Sequence, residues 1–309
     1  MPELAGLSAV IVTWNVLPLL RECLDSLLPQ LRPGDEVLVV DNASQDGTEA
    51  AITSHYPGVR FIQTGANLGF CGGVNRGLRE ARGQFLLVLN PDTRLASGAL
   101  EAMRRLLEHD PTVAVLGPRL LDPEGAVQSS RRRFPTAASL FVESTPAQRL
   151  PLLSRTVRRF HLEDRSDAHV QEVDWVWGAC FLLRREALEE TGGLDETFFM
   201  YSEEVDLCRR LHQAGWKTVF EPAAEVVHHH GKSSEQVPAA RLIRFNRSKA
   251  LYAGKHLGAG VAEVLRLYLL GTFLWEMAFE GAKLALGHRP DLRRARLRVY
   301  RQALTSGLR

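Results

Sequence analysis

Asp92 sits in Asn90-Pro91-Asp92-Thr93, directly after the uncharged run Phe85-Leu86-Leu87-Val88-Leu89. Five apolar residues between Gly83 and Pro91 predict a short strand buried on both faces, in the middle of a parallel sheet. Pro91 turns the chain so that Asp92 is offered in a loop at the carboxyl end of that strand, where open α/β sheets bind ligands. A carboxylate there suits a hard divalent cation that carries a diphosphate; the same four residues also make an ordinary turn. Asp41, at the tip of Val37-Leu38-Val39-Val40, can accept hydrogen bonds from a ribose or base edge, or fold into an Asx-turn. Glu203, Glu204 and Asp206 follow Ser202, an N-cap by type. Such acids supply a proton acceptor, although the helix dipole favours them without catalysis. Trp175, Trp177, Phe198, Phe199 and Tyr201 can wall that site, raising a carboxyl pKa and offering a stacking face to a sugar ring. His228-His229-His230, after a strand at residues 218–220, contains a candidate metal ligand.

These groups need a frame. Residues 7–13 read as the first strand, with Asn15 capping a helix over about 18–28, whose Leu19, Leu20, Cys23, Leu24, Leu27 and Leu28 recur at helical spacing. Asp46 and Glu49 have the spacing of a capping box for the helix after the second strand. A third strand spans 59–62. Gly69, Gly72 and Gly73 then form a turn before a helix, leaving N–H groups open to a nucleotide or allowing helix and sheet to pack closely. A helix at 99–107 and a strand at 113–116, ending at Gly117-Pro118, continue the alternation that marks a sheet covered on both faces. From Ser129 to Val170 the pattern dissolves into an irregular, partly mobile insertion over the active face with Arg131-Arg132-Arg133, a solvated charge run or a contact for an anionic substrate or lipid surface.

The 309 residues suffice for one α/β domain with an appendage or for two domains. A net charge of +2 argues against a dedicated nucleic-acid binder. Cys23, Cys71, Cys180 and Cys208 form no Cys-x-x-Cys pair, which predicts a reducing compartment and neither zinc nor disulfides. The start, Met1-Pro2-Glu3-Leu4, lacks a signal-peptide pattern, and the charge-free stretch 267–275 is too short to span a bilayer. A cytoplasmic protein is expected.

Taken in order, Val12-Thr13-Trp14-Asn15, Asp41-Asn42, Asp46-Gly47-Thr48, Asn67-Leu68-Gly69-Phe70, Gly72-Gly73 with Asn75, Leu89-Asn90-Pro91-Asp92, Gly178-Ala179, Gly193-Leu194-Asp195-Glu196 and Tyr201-Ser202-Glu203-Glu204-Val205-Asp206-Leu207 resemble the family 2 glycosyltransferases. The likeness, over roughly residues 7–234, is nearest to the bacterial rhamnosyltransferase-like branch that builds cell-surface polysaccharides. It implies an α/β GT-A fold with a mostly parallel central sheet, an inverting reaction, an NDP-sugar donor and a divalent cation, Mg or Mn. dTDP-rhamnose is the first choice of donor and a UDP-sugar the next. By resemblance, Thr13, Asn15, Asp41, Asn67, Gly72, Gly73, Asn75 and Asn90 lie at the nucleotide. Asp92 and His228 hold the metal, Glu204 or its neighbour Glu203 is the base, and Trp175, Trp177 and Tyr201 face the acceptor. Two departures stand out: Asn90 replaces the first acid of an Asp-x-Asp motif, and Glu203-Glu204 stands where relatives show Glu-Asp.

This reading divides the chain into a GT-A domain, 1–238, and a C-terminal helical extension, 239–309. Residues 251–287 have a helical, amphipathic pattern, and Arg289, Arg293, Arg294, Arg296, Arg298 and Arg301 follow with only Asp291 against them. Such helices suit an anionic membrane surface at the inner face of the cell membrane, where the resemblance places a glycan or polyprenyl-linked glycan acceptor; packing on the domain or in a homodimer is the other use. Two competing functions are a silent sugar-nucleotide-binding scaffold and a sugar-1-phosphate nucleotidyltransferase, whose Gly-rich Arg-Lys signature is missing after the first strand.

Overall fold

Strand β4 (Gly83–Leu89) buries all five side chains of Phe85–Leu89 in a ten-stranded sheet. The structure is a computed structural model that describes residues 5–143, 145–229, 231 and 235–309; Met1–Leu4 and His230 lie outside the described residues. β1 (Ala5–Thr13), β2 (Glu36–Asp41) and β3 (Val59–Gln63) extend the sheet in parallel in the order β3-β2-β1-β4. On its other edge β4 meets β11 (Cys180–Arg184) antiparallel. The expected central strand therefore stands where parallel pairing gives way to mixed pairing. Beyond β11 come β6 (Val113–Leu121), β12 (Lys217–His228) and β5 (Thr93–Leu95). Short β7 (Val127–Gln128) and β9 (Gln171–Val173) attach to β6 and β12, while β8 (Arg131–Arg132) and β10 (Trp175–Val176) form a separate two-stranded sheet.

Several expected boundaries move. β6 runs through Gly117-Pro118 to Leu121, and β12 is one strand from 217 to 228 whose register shifts between Glu221 and Glu225. Asn15 does not cap helix α1 (Leu17–Leu27): it has φ 52°, and its Oδ1 accepts from Gln45 N at 2.7 Å. The Leu17 N–H goes instead to Asp46 Oδ2 at 2.8 Å. Asp46 consequently forms no capping box on α2 (Thr48–His55), which starts at Gly47 with φ 82° and no side-chain cap. Because β1 and β2 pair in register, Thr13 opposite Asp41, the loops after them are neighbours and exchange their caps.

The glycine segment is not a turn before a helix; it is the helix, α3 (Gly69–Glu80). A Cβ on Gly73 would sit 2.6 Å from Val12 Cγ1, and one on Gly77 would overlap Val10 Cγ1. Absence of side chains lets α3 lie directly on β1. Gly77→Ala should therefore destabilise the protein by about 1–3 kcal/mol, since overpacking forces the strand outward; a lower urea midpoint with unchanged slope would check it.

α4 (Ala99–His109) buries Leu100, Met103 and Leu107; α7 (Arg185–Thr191) and α8 (Glu203–Gln213) complete the first of two units, Met1–Phe134, His161–Phe199 and Glu203–Ser233. The second unit gathers Pro135–Phe160, Met200–Ser202 and Ser234–Arg309. Its first segment, expected to be irregular, holds α5 (Ala137–Val142), opened by a Thr136/Ser139 capping box, and α6 (Pro151–Phe160). The C-terminal pattern resolves into α9 (Pro238–Leu257), α10 (Ala259–Ala285) and α11 (Pro290–Ser306), because Gly258, at φ 102°, breaks the expected single helix over 251–287. α10 and α11 form an antiparallel hairpin: buried Glu280 accepts from Arg293 at 2.7 Å and Arg296 at 3.0 Å, and Phe273 stacks on Tyr300 at 6.1 Å. Among the described residues no helix is long and apolar enough to cross a membrane.

Candidate active site

The carboxyl ends of β1, β2 and β4 lie side by side, and the first unit collects its polar groups there. Thr13 and Asp41 are both 1% exposed, so their polar atoms need partners. One Asp41 oxygen, Oδ2, accepts from Ser44 N at 3.0 Å in an Asx-turn. The other, Oδ1, has no partner among the described residues, nor does Thr13 Oγ1. Two orphaned buried oxygens at adjacent strand ends form a polar cradle for a hydrogen-bonding ligand. Asn15 flanks it through its bonds to the Ser44-Gln45 loop.

Asn67 and the glycines play a different part from the one expected. Asn67 Oδ1 accepts from Gly69 N at 3.0 Å, and Phe70 N donates to Phe199 O at 2.8 Å, so these N–H groups at the start of α3 are used within the protein. Gly72 and Gly73 lie buried inside the helix. Asn75 is also engaged: Nδ2 donates to Leu194 O at 2.8 Å and Oδ1 accepts from Leu194 N at 3.0 Å, fastening the Gly193–Glu196 loop.

Asp92 emerges between β4 and β5. Asn90 N donates to Ala179 O at 2.8 Å and Asn90 O accepts from Thr93 Oγ1 at 2.6 Å, fixing the corner while the Asn90 residue stays half-buried. Since β5 pairs with β12, His228 lies opposite Thr93, and its Nε2 is 3.6 Å from Asp92 Oδ1. Gln128 settles the tautomer. Its Nε2 donates to His228 O at 2.8 Å, which leaves Oε1 to accept from His228 Nδ1 at 3.0 Å. The other ring nitrogen, Nε2, faces Asp92 Oδ1, while Asp92 Oδ2 accepts from Gly231 N at 3.0 Å. An imidazole nitrogen beside a carboxylate oxygen is a ligand pair that a divalent cation would fit. Among the described residues no group of three His, Cys, Asp or Glu side chains could hold a metal, so a cation here would complete its shell with substrate oxygens and water.

Glu203 and Glu204 begin α8. Glu204 Oε1 accepts from Gly178 N at 3.4 Å, in the loop that leads into β11 and hence to β4. Oε2 of each is buried without a partner among the described residues. Burial pushes Glu203 well above the ordinary carboxylate range, and the nearby Glu204 charge adds to the effect. Burial also raises Glu204, but its own N–H and those of Gly178 and Val205, with the Arg132 charge, hold the rise back. Burial thus disfavours the charged form of both carboxyls, and the N–H groups and the Arg132 charge around Glu204 favour its carboxylate. Asp206 takes no part, being fully buried and bonded to Arg210 Nε at 2.9 Å.

The aromatic wall differs from the expected stacking face. Trp175 is 8% exposed and donates its indole N–H to Arg133 O at 2.8 Å. Trp177 is half-buried with the Arg132 guanidinium 5.1 Å from its ring centroid, so that its face is already used. Tyr201 belongs to the second unit, where its ring meets Phe245 edge-on at 5.5 Å. Arg131 and Arg132, expected in a solvated run, are 8% and 4% exposed on β8, where Arg131 bonds Arg165 O at 2.7 Å and Arg132 bonds Ser129 Oγ at 2.9 Å. Gln128 is the group that sequence reasoning missed, while Gly178 and Arg132 stood in it without these contacts to Glu204 and Trp177. Gln128 stands 100 residues from His228, and no local pattern joins them.

The profile of Glycosyl transferase family 2 matches residues 8–192. An N-acetylglucosaminyl-diphospho-decaprenol L-rhamnosyltransferase of Mycobacterium tuberculosis is 35% identical over 264 residues, covering 82% of this chain and 85% of that protein. Rhamnosyltransferase WbbL of Escherichia coli K12 is 27% identical over 241 residues, covering 69% and 82%. Among solved structures, the mannosyltransferase PcManGT from Pyrobaculum calidifontis, in complex with GDP-Man and Mn2+, superimposes with a TM-score of 0.57 at 19% identity over 99% of this chain and 86% of that one. With the profile over more than half its length and the ordered strand-end site beneath it, the chain belongs to glycosyl transferase family 2.

Proposed function

We propose that the protein is an inverting, metal-dependent rhamnosyltransferase. It moves L-rhamnose from dTDP-rhamnose to a hydroxyl of a polyprenyl-diphosphate-linked glycan, working peripherally at the inner face of the cell membrane. The observation that carries the reading is the pairing of Asp92 with His228 at the end of β4, in the same unit as a buried carboxyl pair. Similarity to the mycobacterial decaprenol-linked enzyme supports the sugar and the acceptor class.

Thr13 Oγ1 and Asp41 Oδ1 receive the nucleoside, whose donors replace the hydrogen bonds these atoms lack within the protein. Asp92 and His228 would hold a divalent cation, which would supply charge neutralisation for the departing diphosphate. The acceptor hydroxyl attacks the anomeric carbon from the face opposite the diphosphate. Glu204 takes the hydroxyl proton as the new C–O bond forms and the bond to the diphosphate oxygen breaks. Burial of Glu203 disfavours a second charge beside it.

Calorimetric titration of dTDP, UDP and GDP with and without Mn2+, followed by transfer from dTDP-rhamnose to a polyprenyl-diphosphate N-acetylglucosamine analogue, tests the reading. Metal-dependent preference for dTDP with transfer is expected. Preference for UDP or GDP would redirect the donor, and binding of none by folded protein would leave a scaffold. Thr13→Val should weaken nucleotide binding by about 1–2 kcal/mol, roughly tenfold, in the same titration while leaving the urea midpoint nearly unchanged, since it deletes an unsatisfied hydroxyl.

A further inference from the structure

The exposed face of α10 carries no charge along most of its length. Leu265, Leu269, Phe273 and Glu280 face inward within the second unit, and every exposed position from 264 to 285 on the opposite face is apolar or glycine. Val264, Leu267, Leu274, Trp275 and the capping Leu286 are 58%, 55%, 59%, 66% and 84% exposed. At a rise of 1.5 Å per residue this stripe is about 33 Å long. Soluble surfaces scatter large apolar residues singly; a continuous stripe marks an interaction face.

Charge identifies the partner. The second unit has 18 Lys and Arg against 6 Asp and Glu, a net +12 in a chain whose total is +2. On α11, packed against α10, Arg294, Arg298 and Arg301 are exposed at positions i, i+4 and i+7, on one face of that helix, with the exposed Asp291 3.6 Å from Arg294. Buried Arg293 and exposed Arg296 bind Glu280. A second copy docking through this face would bring two units of +12 together, so like-charge repulsion opposes a dimer there. An anionic bilayer satisfies both features at once, taking apolar side chains at the acyl boundary and cations among the headgroups.

We propose that α10 lies in the plane of an anionic lipid bilayer on its Leu267, Leu274 and Trp275 face, with α11 supplying the cationic contacts. This deepens the membrane location stated above and rests on none of the donor chemistry.

The test is co-sedimentation of the full chain with vesicles of phosphatidylglycerol and phosphatidylcholine, beside vesicles of phosphatidylcholine alone. Binding should require the anionic lipid and fall about tenfold as salt rises from about 0.1 to 0.5 M. L274E/W275E should weaken it about tenfold or more, and R294E/R298E/R301E by at least as much, while nucleotide affinity stays unchanged. Equal binding to both vesicle types would overturn the electrostatic part, and binding unaffected by L274E/W275E would overturn the stripe. Absence of vesicle binding, with a dimer in sedimentation that L274E/W275E dissolves, would assign the face to a second copy. The lipid dependence of the unaltered protein needs no variant, and failed rhamnosyl transfer with intact vesicle binding would count against the donor reading alone.

Discussion

Glu204→Gln is expected to lower the transfer rate by about 10²–10⁴-fold while nucleotide and cation affinities stay close to those of the unaltered protein. Gln keeps the shape of the side chain and its bond from Gly178 N, but cannot take the proton of the acceptor hydroxyl. Glu203→Gln should retain most transfer activity, because burial disfavours the charged form of Glu203 and the amide keeps its shape. The reverse result, with Glu203→Gln inactive and Glu204→Gln active, would move the base by one position. A pH profile adds an independent reading. The Glu204 pKa is raised by burial, so transfer falls as pH drops through a value above the ordinary carboxylate range. Stability changes with the opposite sign. A carboxyl whose folded pKa is raised stabilises the fold below its unfolded pKa and loses that contribution as pH rises through the folded one. Glu203→Gln should thus raise the melting temperature more at pH 8 than at pH 5, by about 2–4 °C for each kcal/mol of burial cost removed.

Asp92→Ala is the second large effect. It removes one of the two donors facing each other across 3.6 Å and the acceptor for Gly231 N. Metal-dependent nucleotide binding should disappear in calorimetry, and kcat/KM should fall by about a thousandfold, in line with several kcal/mol of lost charge neutralisation. His228→Ala should act in the same direction less severely, because a neutral ligand contributes less than a carboxylate. Nucleotide binding that is equally strong with and without Mn2+ in the unaltered protein would remove the metal from the scheme. Gln128→Ala separates orientation from ligation: it leaves both donors present but frees the imidazole, and should cost about 10–100-fold in metal affinity.

What could be read from the sequence follows from how locally each feature is encoded. The uninterrupted apolar runs of β1, β2 and β4 mark strands covered on both faces wherever the chain places them, and the corner at Pro91 follows from the proline ring. The glycine segment was ambiguous because glycine serves both bound phosphates and close helix packing; Val10 and Val12 beneath Gly77 and Gly73 decide for packing. Arg131-Arg132 looked solvated because a charge run on its own has no other way to be satisfied. In the folded unit the carbonyls of a distant loop and the Trp177 ring satisfy it. Asn15 and Asp46 show the same limit: each has the residue type of a helix cap, but the neighbouring loop, 29 or 30 residues away, determines what it bonds.

By itself the sequence determined the carboxyl ends of β1, β2 and β4, the acids presented there, the family and the amphipathic, basic character of the last helices, because these depend on residue type and short-range period. Only the tertiary structure decided that His228 faces Asp92, that Gln128 bonds its Nδ1, and that burial raises both glutamates of the pair. It also decided that Arg293 and Arg296 of the last helix bind Glu280 while Arg298 and Arg301 stay exposed. Those outcomes depend on burial and on pairing between residues far apart in the chain, and neither quantity exists until the chain has folded.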